Sequence, residues 1–415
     1  MATMPMSSRH AIPIGSEGDI IAAVQARSGR TRSLRALGSL GSKNGSLLAP
    51  GAALRLDRYD EVRPVGDHHV VAQAGVTIGR LNEVLLLHGL AIPTHGEWAG
   101  GTIGGAVANG THGGSSVHGI SSTSILAIRL ITADGHPIEL DRGSQGFNEA
   151  AVSLGMLGVT STVTLACVPH FHLALETRVH SLAQYVNGHD VACRENEFYS
   201  AVWFPAARRV VTFAANRSPA PQTAGHRGIR MGVGTFVLAA MSNRLAIPDA
   251  LFNLRAGTTV GPVGQILSPI DYGRRRLGLL RRVSSSWTEV EYAIPLIRAA
   301  ESLLLLDRFA TRHRDFCMHP IGLRTTARDD FPLSPCQGRD TFWLSVSFRQ
   351  DPRLEDELAQ LFMGLGARCH WGKHIGLPLD YLRAQYQGLG GFAAIRARLD
   401  PDHVFANDFT DRIFQ

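Results

Sequence analysis

Seven of the fifteen residues in Gly100-Gly101-Thr102-Ile103-Gly104-Gly105-Ala106-Val107-Ala108-Asn109-Gly110-Thr111-His112-Gly113-Gly114 are glycine. Glycine loses more backbone freedom on folding than any other residue, so such a density persists where a backbone must approach something closely. Pyrophosphate is the usual guest, because successive N–H groups in tight turns form anion-binding nests. The run is not a Rossmann fingerprint, since no GxGxxG follows a strand and opens a helix, and without GK[ST] it is not a P-loop. By itself it reads equally well as a structural turn cluster. An earlier loop, Ala36-Leu37-Gly38-Ser39-Leu40-Gly41-Ser42-Lys43-Asn44-Gly45, offers a second set of small residues and exposed amides. Two such loops predict a dinucleotide held by backbone rather than by a helix dipole.

The 415 residues are 44% apolar and 18% charged, which excludes disorder and gives room for two domains with ample core. No apolar run reaches the roughly 18–20 residues that span a bilayer, and Met1 to Asp19 lacks the apolar stretch of a secretory leader. The net charge of +6 is scattered; the one dense cluster, Arg274-Arg275-Arg276 with Arg281-Arg282, reads as a solvated face. No membrane or nucleic-acid partner is expected. Cys167, Cys193, Cys317, Cys336 and Cys369 are odd in number and widely spaced, which predicts neither a disulfide framework nor a zinc site and fits a cytoplasmic home. Of 41 basic residues only Lys43 and Lys373 are lysines. That ratio reflects arginine-biased coding, and it draws attention to the two that survive.

Patterning predicts an α+β plan. A helix is expected over Asp19 to Ser28, closed by Gly29, then a strand at Ser33 to Leu37 and another at His69 to Ala74. Thr77 should cap a helix that Gly89 stops. A hairpin is expected from Ile125 to Thr132 and His136 to Leu140 around Asp134-Gly135, then a helix near Asn148 to Leu154 and a strand from Val159 to Val168. Pro169 marks a boundary. Beyond it, Ala214 to Arg227 reads as a loop, Thr341 to Phe348 as a strand and Arg353 to Gly364 as a helix.

The order of segments resembles the FAD-linked oxidases of the vanillyl-alcohol oxidase superfamily, most closely the alditol oxidase and sugar-lactone oxidase branch. The resemblance rests on Leu34 to Asn44, Val70-Val71-Ala72-Gln73-Ala74-Gly75, Gly110 to Gly113 and Thr132-Ala133-Asp134-Gly135. It continues through Glu289-Val290-Glu291-Tyr292-Ala293-Ile294-Pro295, His370-Trp371-Gly372-Lys373 and Leu399-Asp400-Pro401-Asp402-His403-Val404-Phe405-Ala406-Asn407-Asp408. It implies an α+β, two-domain PCMH-type FAD-binding fold with an α/β substrate (cap) domain. FAD would lie on residues 1–170, with the cap at 171–369 and the segment 370–415 returning to the first domain. The implied cofactor contacts are Leu37, Gly38, Ser39, Leu40, Gly41, Ser42, Gly101, Thr102, Gly104, Gly105, Asn109, Gly110, Thr111, His112, Gly113, Gly119, Ile120, Gly158, Val159 and Asn407. The implied reaction is hydride transfer from a CH–OH carbon of a polyol-, sugar- or natural-product-like substrate to flavin N5, with oxygen or another acceptor reoxidising the flavin.

Two departures from the family pattern shape the expectations. Where the family has Gly-Ser-x-His-Ser, with the histidine bonded to flavin, this chain reads Gly38-Ser39-Leu40-Gly41-Ser42, which predicts dissociable FAD; attachment through His112 or another histidine is the alternative. Where the family has Glu-x-Arg facing the flavin, this chain has Gly322-Leu323-Arg324, and the next His and Thr are Ser345 and Ser347. With Lys373 and His370, these give the expected catalytic set Lys373, Arg324, Ser345, Ser347 and His370. The lost carboxylate predicts a larger or more apolar alcohol, such as a natural-product intermediate, rather than a simple polyol or free lactone. The alternatives are another two-electron step, desaturation or oxidative cyclisation, and a flavin-binding protein without catalysis. A metal pair at His370 and His374 is weighed and not favoured, because Gly372 intervenes and no third ligand is apparent. His95, His112 and His118 read first as structural histidines.

Overall fold

The computed structural model describes residues 11–27, 33–219, 257–267, 287–313 and 320–414. Helix α1 (Glu17–Gln25) opens on Ser16: its Oγ accepts from the Asp19 N–H, and the Asp19 carboxylate accepts from the Ser16 N–H. It stops three residues earlier than the pattern predicts, at the Ala26 cap; Gly29 lies outside the described residues. Strands β1 (Ala11–Pro13), β2 (Leu34–Leu37) and β3 (Ala52–Arg55) form a parallel sheet in the order β1-β3-β2.

Five antiparallel strands make the second sheet, β4 (Val62–Val65), β5 (His69–Gln73), β6 (Ile125–Ile131), β7 (Pro137–Asp141) and β8 (Val159–Ala166), ordered β4-β5-β8-β6-β7. The expected hairpin is β6–β7, with Gly135 at φ +84° in its turn. Thr77 caps helix α2 (Ile78–Leu87) by accepting from the Arg80 N–H, and Gly89 at φ +67° ends it. Within the glycine run the chain is not all loop. Thr102 caps a six-residue helix, α3 (Ile103–Ala108), its Oγ1 accepting from the Gly105 N–H, and Gly104 lets the helix press against neighbouring backbone. A Cβ on Gly104 would come 2.9 Å from the Ala74 carbonyl. Helix α4 (Phe147–Ala151) is shorter than expected, the chain turning through Leu154 at φ +52°.

The third sheet is antiparallel and eight-stranded: β9 (His172–Ser181), β10 (Phe198–Phe204), β11 (Arg209–Ser218), β12 (Gly257–Pro262), β13 (Trp287–Pro295), β14 (Ile321–Thr326), β15 (Thr341–Arg349) and β16 (Arg368–Cys369). Their order is β12-β9-β11-β10-β14-β15-β13-β16. The expected loop at Ala214 is corrected here: Ala214 to Ser218 pair with His172 to Glu176, and residues 220–227 lie outside the described set. The arginine cluster at 274–282 and Cys317 are likewise outside it.

Alternation divides this sheet into two faces. Leu323, Leu344, Val346, Val290 and Tyr292 are fully buried, and Tyr292 stacks at 3.9 Å on Phe362 of helix α5 (Pro352–Met363). The other face presents Gly322, Arg324, Trp343, Ser345, Ser347, Glu289 and Glu291 towards the glycine run. Trp343 stacks on His112 at 3.7 Å, the Tyr199 N–H donates to the Gly114 carbonyl, and the Ser115 N–H donates to that of Thr325. The C-terminal segment packs on the first loop: Asn407 Nδ2 donates to the carbonyls of Gly45 and Leu48, and the Leu34 N–H to that of Val404. Arg35, buried beneath, ties the same pieces by donating to the Ser46, Leu154 and Phe405 carbonyls. Among the described residues no helix is long and apolar enough to cross a membrane.

Candidate functional site

The first loop leaves β2 at Leu37 and packs its glycines against side chains of the second. A Cβ on Gly38 would lie 2.1 Å from Thr102 Oγ1, and one on Gly41 would lie 2.1 Å from Cζ3 of Trp98. Leu40 between them has φ +58°, a left-handed conformation that turns the chain sharply. Close loop–loop contact thus explains these glycines, with Trp98 lying against Gly41, Gly100 and Gly101. The loop then meets the segment carrying the other lysine. The Lys43 N–H donates to the Gly372 carbonyl at 2.8 Å, and Asn44 Nδ2 donates to the carbonyls of Trp371 and Lys373 at 2.6 Å.

Downstream, Asn109 Nδ2 donates to the Gly105 carbonyl at the end of α3, and Gly110 turns at φ +65° beside Ile120. The Thr111 carbonyl accepts from the Ser121 N–H, Gly113 lies on the His95 carbonyl, and Gly119 packs on Thr123. Gly158 and Val159 open β8 against Ile131, in the sheet beneath the loops rather than at the junction with residues 370–373. Ser39 and Ser42 stay in the first loop, where Ser42 Oγ faces Gly372.

A charged cluster sits on the polar sheet face. Arg324 donates from Nε and Nη2 to the two Glu97 oxygens at 2.9 and 2.6 Å, and from Nη1 to Glu291 at 3.3 Å. Glu291, only 4% exposed, also faces His112 Nε2 at 3.4 Å. His112 Nδ1 meets the Gly113 carbonyl at 2.9 Å, a contact that requires the proton on that nitrogen. Burial opposes ionisation of Glu291, yet His112 and Lys373 hold its carboxyl well below the usual range. Burial likewise opposes the Arg324 charge, and Glu97 and Glu291 outweigh it, holding the guanidinium firmly protonated. Lys373 Nζ pairs with Glu289 at 2.5 Å. Ser345 and Ser347 are half-buried on the same face, Ser345 opposite both Gly322 and Glu291 in register. The five expected catalytic residues therefore share one sheet face and its flanking segment.

His112, Glu291 and His370 place ligand-type atoms within 4.8 Å of one another, close enough in distance to hold a cation. The tautomer opposes it. His370 Nδ1 accepts from the Gly372 N–H at 2.9 Å, so the ring proton of the neutral imidazole sits on Nε2 and neither nitrogen offers a free lone pair. Burial pushes His370 down to about 3. His374 turns away to Glu355 and forms no pair with His370. His95 is held between the Gly96 carbonyl and Asn82, and His118 pairs with Glu197, both in keeping with structural roles.

The model of the D-arabinono-1,4-lactone oxidase family matches residues 163–413, and that of an FAD-binding domain matches residues 10–141. The chain belongs to the D-arabinono-1,4-lactone oxidase family. It is 30% identical over 417 residues to L-gulono-1,4-lactone dehydrogenase of Mycobacterium tuberculosis, covering 96% of this chain and 94% of the relative. It is 29% identical over 363 residues to L-gulonolactone oxidase of Bos taurus (83% and 81%), and 28% over 387 residues to an alditol oxidase of a Streptomyces species (86% and 85%). Cholesterol oxidase from Brevibacterium sterolicum shares the fold, with a TM-score of 0.76 at 14% identity, over 98% of this chain and 94% of that one. The protein is an FAD-dependent oxidoreductase of PCMH-type fold.

Four site residues, Glu97, Trp98, Glu289 and Glu291, lie outside the set expected from the sequence. Glu291 had a signal, since Glu289 and Glu291 alternate on one face of the otherwise apolar β13. Glu97 and Trp98 had none, because a loop acid and a loop indole acquire meaning only from what folds opposite them.

Proposed function

We propose that the protein oxidises a CH–OH carbon of a polyol- or sugar-lactone-like substrate, using non-covalently held FAD. The observation that carries this reading is the Glu97–Arg324–Glu291–His112 chain on the face that the 370–373 segment joins to the first loop. Of the polyol-, sugar- and natural-product-like substrates expected from the sequence, the geometry favours the polar ones over a larger, more apolar alcohol. The lost carboxylate at 322 leaves no apolar gap, because Arg324 Nη1 lies 3.1 Å from where a Cβ at 322 would be and two other carboxylates bind it. Bound FAD supplies the hydride acceptor. Of the five guanidinium N–H groups, Glu97 and Glu291 take three, so two remain to orient a substrate oxygen. His112 Nε2 and Glu291 can share one proton, which suits them to receive the hydroxyl proton as a carbonyl forms. Ser345 adds a hydroxyl in the row of Gly322 and Glu291, Ser347 one in the row of Glu289, and Lys373, fixed by Glu289, supplies a compact positive charge.

Gly41 supports dissociable FAD, having no side chain to bond and facing Trp98. His112 supports it too, with its two ring nitrogens against Gly113 and Glu291. The division 1–170, 171–369 and 370–415 is the domain plan we propose. The four described cysteines, all buried and free, favour a cytoplasmic setting. Acid precipitation should release yellow flavin into the supernatant; colour kept in the pellet refutes dissociable FAD. Anaerobic mixing with L-gulono-1,4-lactone, D-arabinono-1,4-lactone or an alditol should bleach the flavin. No bleaching by any of them refutes the substrate class.

A further inference from the structure

Gly322, Ser345 and Glu291 form one row across β14, β15 and β13: Ser345 is in register with Gly322 on one side and with Glu291 on the other. All three therefore occupy the polar face. Gly322 carries no side chain, and Arg324, two residues along the same face, folds back over it. A Cβ at 322 would stand 3.1 Å from Arg324 Nη1 and 3.3 Å from Ser345 Cβ. The guanidinium tip could yield to such a group only by leaving its present place. That place is the one from which Nη1 reaches Glu291, two strands away, while Nε and Nη2 reach Glu97.

We propose that Glu291 is the positioning carboxylate for Arg324, in place of one on its own strand, and that Gly322 is the specificity-determining position that permits this exchange. The inference deepens the proposed oxidoreductase reading, on which its rate readout rests. Glu291 fixes the direction of the guanidinium, and through it the two N–H groups left for a ligand. A glutamate at 322 would compete for the same cation and turn it along β14. The two carboxylates are alternatives. Each should be harmful when both are present and protective when the other is absent.

The test uses the FAD-loaded enzyme as wild type, Glu291→Gln, Gly322→Glu and the double variant. Two readouts are taken: the rate of anaerobic flavin reduction by L-gulono-1,4-lactone, and the thermal melting temperature. Glu291→Gln should slow reduction by about tenfold or more and lower melting by several degrees, as expected when one partner of a buried ion pair is removed. Gly322→Glu alone should also fall below wild type in both. The double variant should reduce its flavin at least about threefold faster than Glu291→Gln and melt higher, because the new carboxylate re-pairs Arg324. A double variant no better than Glu291→Gln in either readout overturns the proposal, as does a Gly322→Glu that improves on wild type. If the lactone fails to bleach wild type, the functional reading falls, and the melting temperatures still decide this one.

Discussion

His370 gives the most direct physical test of the site. Its Nδ1 accepts the Gly372 N–H, its side chain is buried, and burial lowers it from 6.5 to about 3. A histidine depressed in the folded state stays neutral there while the unfolded chain takes up a proton. Its contribution is therefore complete above pH 6.5 and is lost as pH falls towards 3. Over pH 7.5 to 5.0 that single uptake amounts to about 2 kcal/mol, approaching about 1.4 kcal/mol per pH unit at the acid end. Glu291 does not confuse this window. Its folded carboxyl lies well below the ordinary value of 4.5, so it remains ionised in both states above pH 5. Other buried histidines, His95 and His189, are depressed by burial as well and contribute in the same direction. The comparison is consequently with His370→Asn, whose amide oxygen can accept the Gly372 N–H and cannot titrate. Urea denaturation at fixed excess FAD from pH 5.0 to 7.5 should show wild type losing about 2 kcal/mol more than the variant. Parallel curves for the two proteins would refute the argument that His370 is held neutral by burial.

Three further outcomes follow from the geometry. Gly41→His should lower the melting temperature, since its Cβ meets Trp98 at 2.1 Å, an overpacking worth about 1–3 kcal/mol, and Trp98→Ala should relieve it; equal loss in both backgrounds would show that Trp98 is not the obstacle. Lys373→Arg should cut the rate of flavin reduction at least about tenfold by stopped flow, because a forked guanidinium cannot reproduce the compact charge held by Glu289, and a wild-type rate would return Lys373 to the background of coding bias. Asp329, raised to about 6 chiefly by burial, binds more protons folded than unfolded, so as pH rises from 4 to 7 wild type should lose about 2 kcal/mol relative to Asp329→Asn, whose amide cannot titrate. Urea midpoints of both proteins at the two ends of the range would check it.

The sequence determined much of the frame on its own, because the signals there are local. Thr77 needed only its own Oγ and the Arg80 N–H to start a helix, and Gly135 only its positive φ to turn a hairpin. Period-two alternation was enough to place Arg324 with Gly322, and Ser345 with Ser347, on shared faces. The two rare lysines lie on segments that meet through the Lys43–Gly372 bond. Only the tertiary structure decided what those residues face. A short helix inside the glycine run depended on Ala74 lying beneath it, and the strand at Ala214 on pairing with a partner forty residues earlier. A missing glutamate at 322 read as an emptied site, because a strand considered alone cannot show a carboxylate two strands away. Register put Glu291 in that row and the fold of the loop brought in Glu97, so the arginine is bound twice where the sequence left it unpaired. Charges act through space over a few ångströms, and across a sheet that distance bears no relation to separation along the chain.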